Sequence, residues 1–99
     1  MASGCEVVWT SHALSELATT LNYLEAHWSQ NELVRFVRTL DHTVDLISRY
    51  PQLYPESDYK KGVRKAVVDG NNALYYRVQG PQVQILSVFA TKQDPSARP

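Results

Sequence analysis

Cysteine is nearly absent from this chain. Cys5 stands alone among 99 residues, so no internal disulfide can form and the fold must rest on its core. One cysteine fits a reducing compartment, and Cys5 itself reads as a small buried hydrophobe at a strand start. No apolar run approaches the roughly 18 residues that would span a bilayer. The N-terminal stretch MASGCEVVWT has no basic segment followed by an apolar one, so a secretion signal is not expected. Glycine is scarce as well: Gly62, Gly70 and Gly80 are isolated turn residues, which excludes a glycine-rich phosphate loop. The three histidines, His12, His27 and His42, have no carboxylate or thiol at ligand spacing and all fall in helical sequence. A metal, a Ser-His-Asp triad and a Cys-His pair are therefore not expected, and nothing implies a cofactor.

Net charge is also absent overall, but zero conceals a split. Residues 1–58 hold three arginines against eight acids, a net of −5, whereas residues 59–99 hold seven lysines and arginines against two acids, a net of +5. One face should attract anions and another should not.

The length suits one domain, expected over residues 5–95, with a disordered N-terminus at 1–4 and a tail at 96–99. The stretch CEVVWT is short, β-branched and aromatic, and Ser11 after it can cap a helix. Leu14, Leu17, Ala18, Leu21, Leu24 and Trp28 recur at helical spacing, predicting an amphipathic helix over 12–28. Ser29-Gln30-Asn31-Glu32 fits a capping box for a second helix, with Trp28 and Leu33 placed to close a hydrophobic staple. Its buried stripe is expected at Leu33, Phe36, Val37, Leu40, Val44 and Ile47, and Tyr50-Pro51 ends it. The near absence of a loop between the helices predicts an antiparallel helical hairpin.

An irregular connection over 51–61 is punctuated by Pro51 and Pro55. Three strands are predicted after it, at about 63–69, 73–79 and 82–90, with turns at Asp69-Gly70-Asn71-Asn72 and Gly80-Pro81. The expected class is α+β: an N-terminal strand, then an antiparallel helical hairpin packed on an antiparallel sheet, in the order β-α-α-β-β-β.

The hairpin over 61–78 poses a problem of charge. With two central turn residues Arg64 faces Arg77; with three, Lys65 faces Arg77. A cation opposite a cation is unfavourable across a ladder. Strand alternation assigns Val63, Val67, Leu74, Tyr76, Val78, Val83, Ile85 and Phe89 to the helix-facing side. The other side is expected to show Arg64, Ala66, Tyr75, Arg77, Gln84, Leu86 and Val88, with nothing but the C-terminal tail left to cover it. Lys60, Lys61, Arg64, Lys65, Arg77 and Lys92 form the basic cluster. Arg64 and Arg77 on one face would call for an anion between them, with Asp94 as the internal alternative. Tyr75 beside them can stack on a base or pack under a partner's aliphatic side chain.

These features together resemble the RelE/ParE superfamily of toxins from bacterial type II toxin–antitoxin systems. The resemblance runs from about Val7 to Pro95. It is carried by VVWTSHA with Leu17 and Tyr23, Trp28, YPQLYP, GVRKAVV, LYYRV, QILSVF and KQDP. It implies a small cytoplasmic protein masked by a cognate antitoxin, with no membrane association. RelE-like members cut mRNA on the ribosome with basic side chains and usually a tyrosine near the C-terminus. ParE-like members inhibit DNA gyrase. On the nuclease reading Lys65, Arg77 and Lys92 would be the catalytic set, supplying proton transfer and charge at the phosphate. Yet Val67 stands where that branch often repeats a lysine, Ala73 or Leu74 where it has an arginine, and no tyrosine follows Tyr76. The pattern is closer to the ParE-like branch, the plasmid stabilisation proteins. The expected activity is binding rather than catalysis, through Arg64, Lys65, Tyr75, Arg77 and Lys92. The alternatives are a ribosome-dependent ribonuclease and a weakened toxin that persists as an antitoxin-binding module.

Overall fold

The computed structural model describes residues 4–58, 60–69 and 72–90. Among them the chain runs β1 (Glu6–Trp9), α1 (Ser11–His27), α2 (Gln30–Arg49), β2 (Arg64–Asp69), β3 (Asn72–Gln79) and β4 (Gln82–Ala90). The four strands form one sheet in the order β1-β4-β3-β2. The last three are the antiparallel meander expected from the turn signals. β1 joins β4 in parallel, with Val7 beside Val83 and Trp9 beside Ile85, so the sheet is mixed rather than wholly antiparallel. The α+β class and the element order are those read from the sequence. Residues 1–3 and 91–99 lie outside the described residues, as do the turn residues Gly70 and Asn71.

Both helices begin on side-chain caps, one of them displaced. Thr10, not Ser11, caps α1: its Oγ1 accepts from the Ala13 amide at 3.1 Å. The same hydroxyl donates to the Ile85 carbonyl at 2.9 Å, tying the end of β1 to β4, a contact open to Thr10 because it directly follows the strand. The capping box of α2 forms as expected, with Ser29 Oγ receiving the Glu32 amide and Glu32 Oε1 receiving the Ser29 amide.

The buried stripes differ in detail. On α1 the core positions are Ala13, Thr20 and Leu24, with Leu17 and Leu21 half-buried, while Leu14 and Ala18 face solvent. α1 packs chiefly on β4, and the small side chains of Ala13 and Thr20 suit a close approach to a sheet. On α2 Phe36, Leu40, Thr43 and Ile47 are buried and Val37 is exposed. Thr43 satisfies its hydroxyl by donating to the Thr39 carbonyl at 2.8 Å. Trp28 and Leu33 both pack on the rim of the core, where a staple would hold them.

Two bulges set which strand residues face the helices. Val67 pairs with Ala73 but Asp69 with Asn72, leaving Val68 as the extra residue of β2. Tyr75 pairs with Ser87 but Tyr76 with Ile85, leaving Leu86 as the extra residue of β4. A bulge shifts the phase of alternation from that point on. Ala66, Val68 and Val88 therefore belong to the helix-side core with Leu74, Tyr76, Val83 and Ile85. Val63 joins Ala73, Tyr75 and Leu86 in a second, smaller apolar cluster, and Val67 is exposed. These findings reverse the faces expected for Val63, Ala66, Val67 and Val88. The side chain of Phe89 lies outside what is described. The β3–β4 turn is as expected: Gln79 pairs with Gln82, and Gly80 adopts φ +60.

Candidate interaction face of the sheet

The opposed cations do not exist. Arg64 pairs with Tyr76, Lys65 with Tyr75, and Arg77 with Gln84. The extra residue at Val68 slides β2 along β3, so no basic pair meets across the ladder.

Arg64 shares the helix-side phase of Ala66 and leaves the expected site altogether. Its Nη1 donates to the Tyr54 carbonyl at 2.7 Å, and its backbone bridges to Glu56. Two further backbone bonds hold the connection along the outer edge of β2: the Lys65 amide to the Pro55 carbonyl at 3.0 Å, and the Ser57 amide to the Val63 carbonyl at 2.6 Å. Residues 55–57 thus act as a short edge cover for β2, which removes an open strand edge. Tyr76 supports the same segment from within. Its ring is fully buried and its hydroxyl donates to the Pro51 carbonyl at 2.8 Å. Burial pushes the Tyr76 phenol above its ordinary value of 10.0, with the nearby Arg64 charge pulling the other way.

On the other face Lys65 is half-buried and Arg77 exposed, the latter donating from Nη2 to Gln84 Oε1 at 3.1 Å. Tyr75 is only 4% exposed, so its ring supports this face rather than projecting from it. Lys92 lies outside the described residues. Of the five expected site residues, then, Lys65, Tyr75 and Arg77 share a face, and Arg64 does not.

Beside Lys65 and Tyr75 the connection raises a wall, enclosing a cavity of about 260 Å³. Glu56, Asp58 and Val67 also line it. Residues 55–58 could not have been placed there from sequence, because the connection has no periodicity to report its path.

A second unforeseen residue is Glu16 of α1. Its Oε1 accepts from Ser87 Oγ and from the Val88 amide at 3.2 Å, with His12 Nε2 at 3.3 Å. β1 pairs with β4 only as far as Ile85, and Glu16 serves the Val88 amide beyond that paired stretch. Among the described residues no group of three or more His, Cys, Asp or Glu side chains is placed to hold a metal ion. No helix among them is long and apolar enough to cross a membrane.

A strand, two helices and a meander, with a mixed sheet and one polar face, define the RelE/ParE-like class of toxin folds. The sequence pattern of the ParE toxin of type II toxin–antitoxin systems (parDE) matches residues 7–95, and the chain belongs to that family. Among solved structures, a chromosomal ParDE toxin–antitoxin system from P. aeruginosa has a chain that superposes with a TM-score of 0.75 at 18% identity. The match covers 90% of this chain and 98% of that one. The RelBE2 toxin–antitoxin complex from Mycobacterium tuberculosis gives 0.62 at 19% identity, covering 91% and 94%. A YoeB/ParE toxin from Agrobacterium tumefaciens gives 0.63 at 14% identity, covering 86% and 96%. At these identities the likeness is one of fold. No curated protein sequence matches the chain.

Proposed function

We propose that this toxin acts by binding its target rather than by cutting RNA, that the target is DNA gyrase, and that a cognate antitoxin neutralises it by covering the sheet face. One observation supports binding over catalysis: both phenols of β3 are buried, Tyr75 at 4% exposure and Tyr76 at 0%, so neither ring projects to a substrate from this face. Lys65 shares its cavity with Asp58, an acidic residue whose charge works against a phosphodiester. Arg77 is exposed and donates to the Gln84 side chain. Exposed Val67 presents a methyl surface where a second lysine would serve a nuclease. Tyr76 is sealed on the helix side, its hydroxyl on the Pro51 carbonyl. RNA cleavage by 2′-hydroxyl attack requires both a proton acceptor and a donor at the reacting atoms. Gyrase as target rests on family membership, and an antitoxin partner is in keeping with the complexes in which similar folds occur.

Induction in cells tests this directly. DNA supercoiling should fall and filaments appear while total mRNA stays intact. Cut transcripts on ribosomes, with supercoiling unchanged, would replace this reading with the ribonuclease.

A further inference from the structure

We propose that the outer edge of β1, with the groove between it and α2, is where this chain pairs with a second copy of itself. The sheet has two edges, and the fold covers one of them. β2 is overlaid by residues 55–57, whereas β1 has no neighbour but β4 among the described strands. The Glu6 amide bonds the Pro81 carbonyl at 3.0 Å, and the Thr10 amide bonds the Ile85 carbonyl at 3.1 Å. Alternation along a parallel strand then turns the amides and carbonyls of Val7 and Trp9 the other way. No backbone group among the described residues meets them there. Short as it is, β1 carries no proline, lysine or bulge to guard that edge.

The groove decides which partner fits. It measures about 480 Å³ and runs from Val7 along α2, past Arg38, Asp41, His42 and Asp45. The Cys5 amide on the Ser48 carbonyl, at 2.7 Å, pins the start of β1 to the last turn of α2, so edge and groove form one unit. Arg49 holds Asp45 at 3.2 Å. The strip therefore sets Arg38 and Arg49 against Asp41 and Asp45 and is neutral when His42 is uncharged. Neutrality gives no long-range pull on a strongly acidic or basic partner, but the order of charges is complementary to itself. A twofold axis at Val8 sets Val7 of one copy opposite Trp9 of the other, with amides and carbonyls exchanged between them. The same axis lays the two α2 helices antiparallel on one face of the joined sheet. Arg38 of each copy then runs toward Asp45 of the other, and His42 toward Asp41. Val37, 45% exposed and one turn before Asp41, adds apolar surface to that helix face.

The test is sedimentation velocity of the full-length chain over about a hundredfold range of concentration, because a dimer gains on the monomer by mass action. A monomer–dimer equilibrium is expected, with hydrogen exchange at the Val7 and Trp9 amides slowing as the dimer forms. Arg38 and Asp45 are exposed, so reversing either charge should leave the fold intact by circular dichroism. R38D brings like charges together in its own dimer, and so does D45R. Each should weaken self-association about tenfold or more. Mixing the two variants should restore it, because every reversed charge then faces its opposite. Monomer at every concentration would leave the edge to the antitoxin and overturn the proposal. A dimer with the Val7 and Trp9 amides unprotected, or a mixture that associates no better than either variant alone, would overturn it as well. The experiment contains neither gyrase nor RNA, so its outcome is separate from that of the supercoiling assay.

Discussion

Arg64 reaches out of the sheet to the backbone carbonyl of Tyr54, ten residues earlier, and closes the connection onto β2 with a 2.7 Å hydrogen bond. A charged donor at a partly buried carbonyl is worth more than a neutral one. Arg64→Ala should therefore lower stability by about 1.5–3 kcal/mol in urea denaturation. Loss of activity in this variant should track the fraction unfolded and recover at lower temperature. An activity loss without a stability change would return Arg64 to the binding surface.

Tyr76 provides a pH test. Its folded-state pKa lies above the unfolded value of 10.0, chiefly because burial disfavours the phenolate. The sign follows from linkage: the folded protein holds this proton more tightly than the unfolded chain. The contribution is complete below pH 10 and is lost as pH rises through the folded pKa. Denaturation midpoints should fall above pH 10 in the wild type. Tyr76→Phe should start lower, by about 1–3 kcal/mol for the buried Pro51 carbonyl left unserved, and should lose less over the same alkaline range. Parallel slopes for the two proteins would show that Tyr76 does not set the alkaline limit.

Glu16 stands in for a missing strand at the edge of β4. Glu16→Ala strands the Val88 amide and the Ser87 hydroxyl and should cost about 1–3 kcal/mol. Hydrogen exchange would localise the effect, with the Val88 amide losing protection before those of Val83 and Ile85. Glu16→Gln keeps an acceptor and should recover most of the loss.

Trp28 packs on the rim of the core while remaining partly exposed. Trp28→Ala should cost about 3 kcal/mol, the low end for truncating a large aromatic side chain. A cost under about 1 kcal/mol would show that the ring contributes little to folding and is free to meet a partner.

The binding reading predicts graded losses of toxicity. Lys65→Ala, Arg77→Ala and Lys92→Ala should each reduce killing in part, because a binding surface spreads its energy over several contacts. Removing the general acid or base of a nuclease would instead cost about 10²–10⁴ in rate at a single position. Complete loss in one variant, folded by circular dichroism, with the other two unaffected, would favour catalysis.

What the sequence determined by itself was whatever depends on neighbours within a turn or two. The capping box at Ser29 and Glu32, the stop at Tyr50-Pro51, the Gly80-Pro81 turn and the helix-then-meander order are all local chemistry. Family membership was legible for a related reason, since short motifs keep their order along the chain. Tertiary structure decided everything that depends on strand phase. Alternation carries no mark of where a residue will be left unpaired, and the extra residues Val68 and Leu86 are chosen by how three strands and two helices pack together. One such residue turned Ala66 inward and Val67 outward, and slid Arg64 away from Arg77 to a place opposite Tyr76. Phase, set by packing, also sent the Arg64 side chain to Tyr54. The expected cation pair became a structural clamp on one side of the sheet and a half-buried lysine paired with Tyr75 on the other.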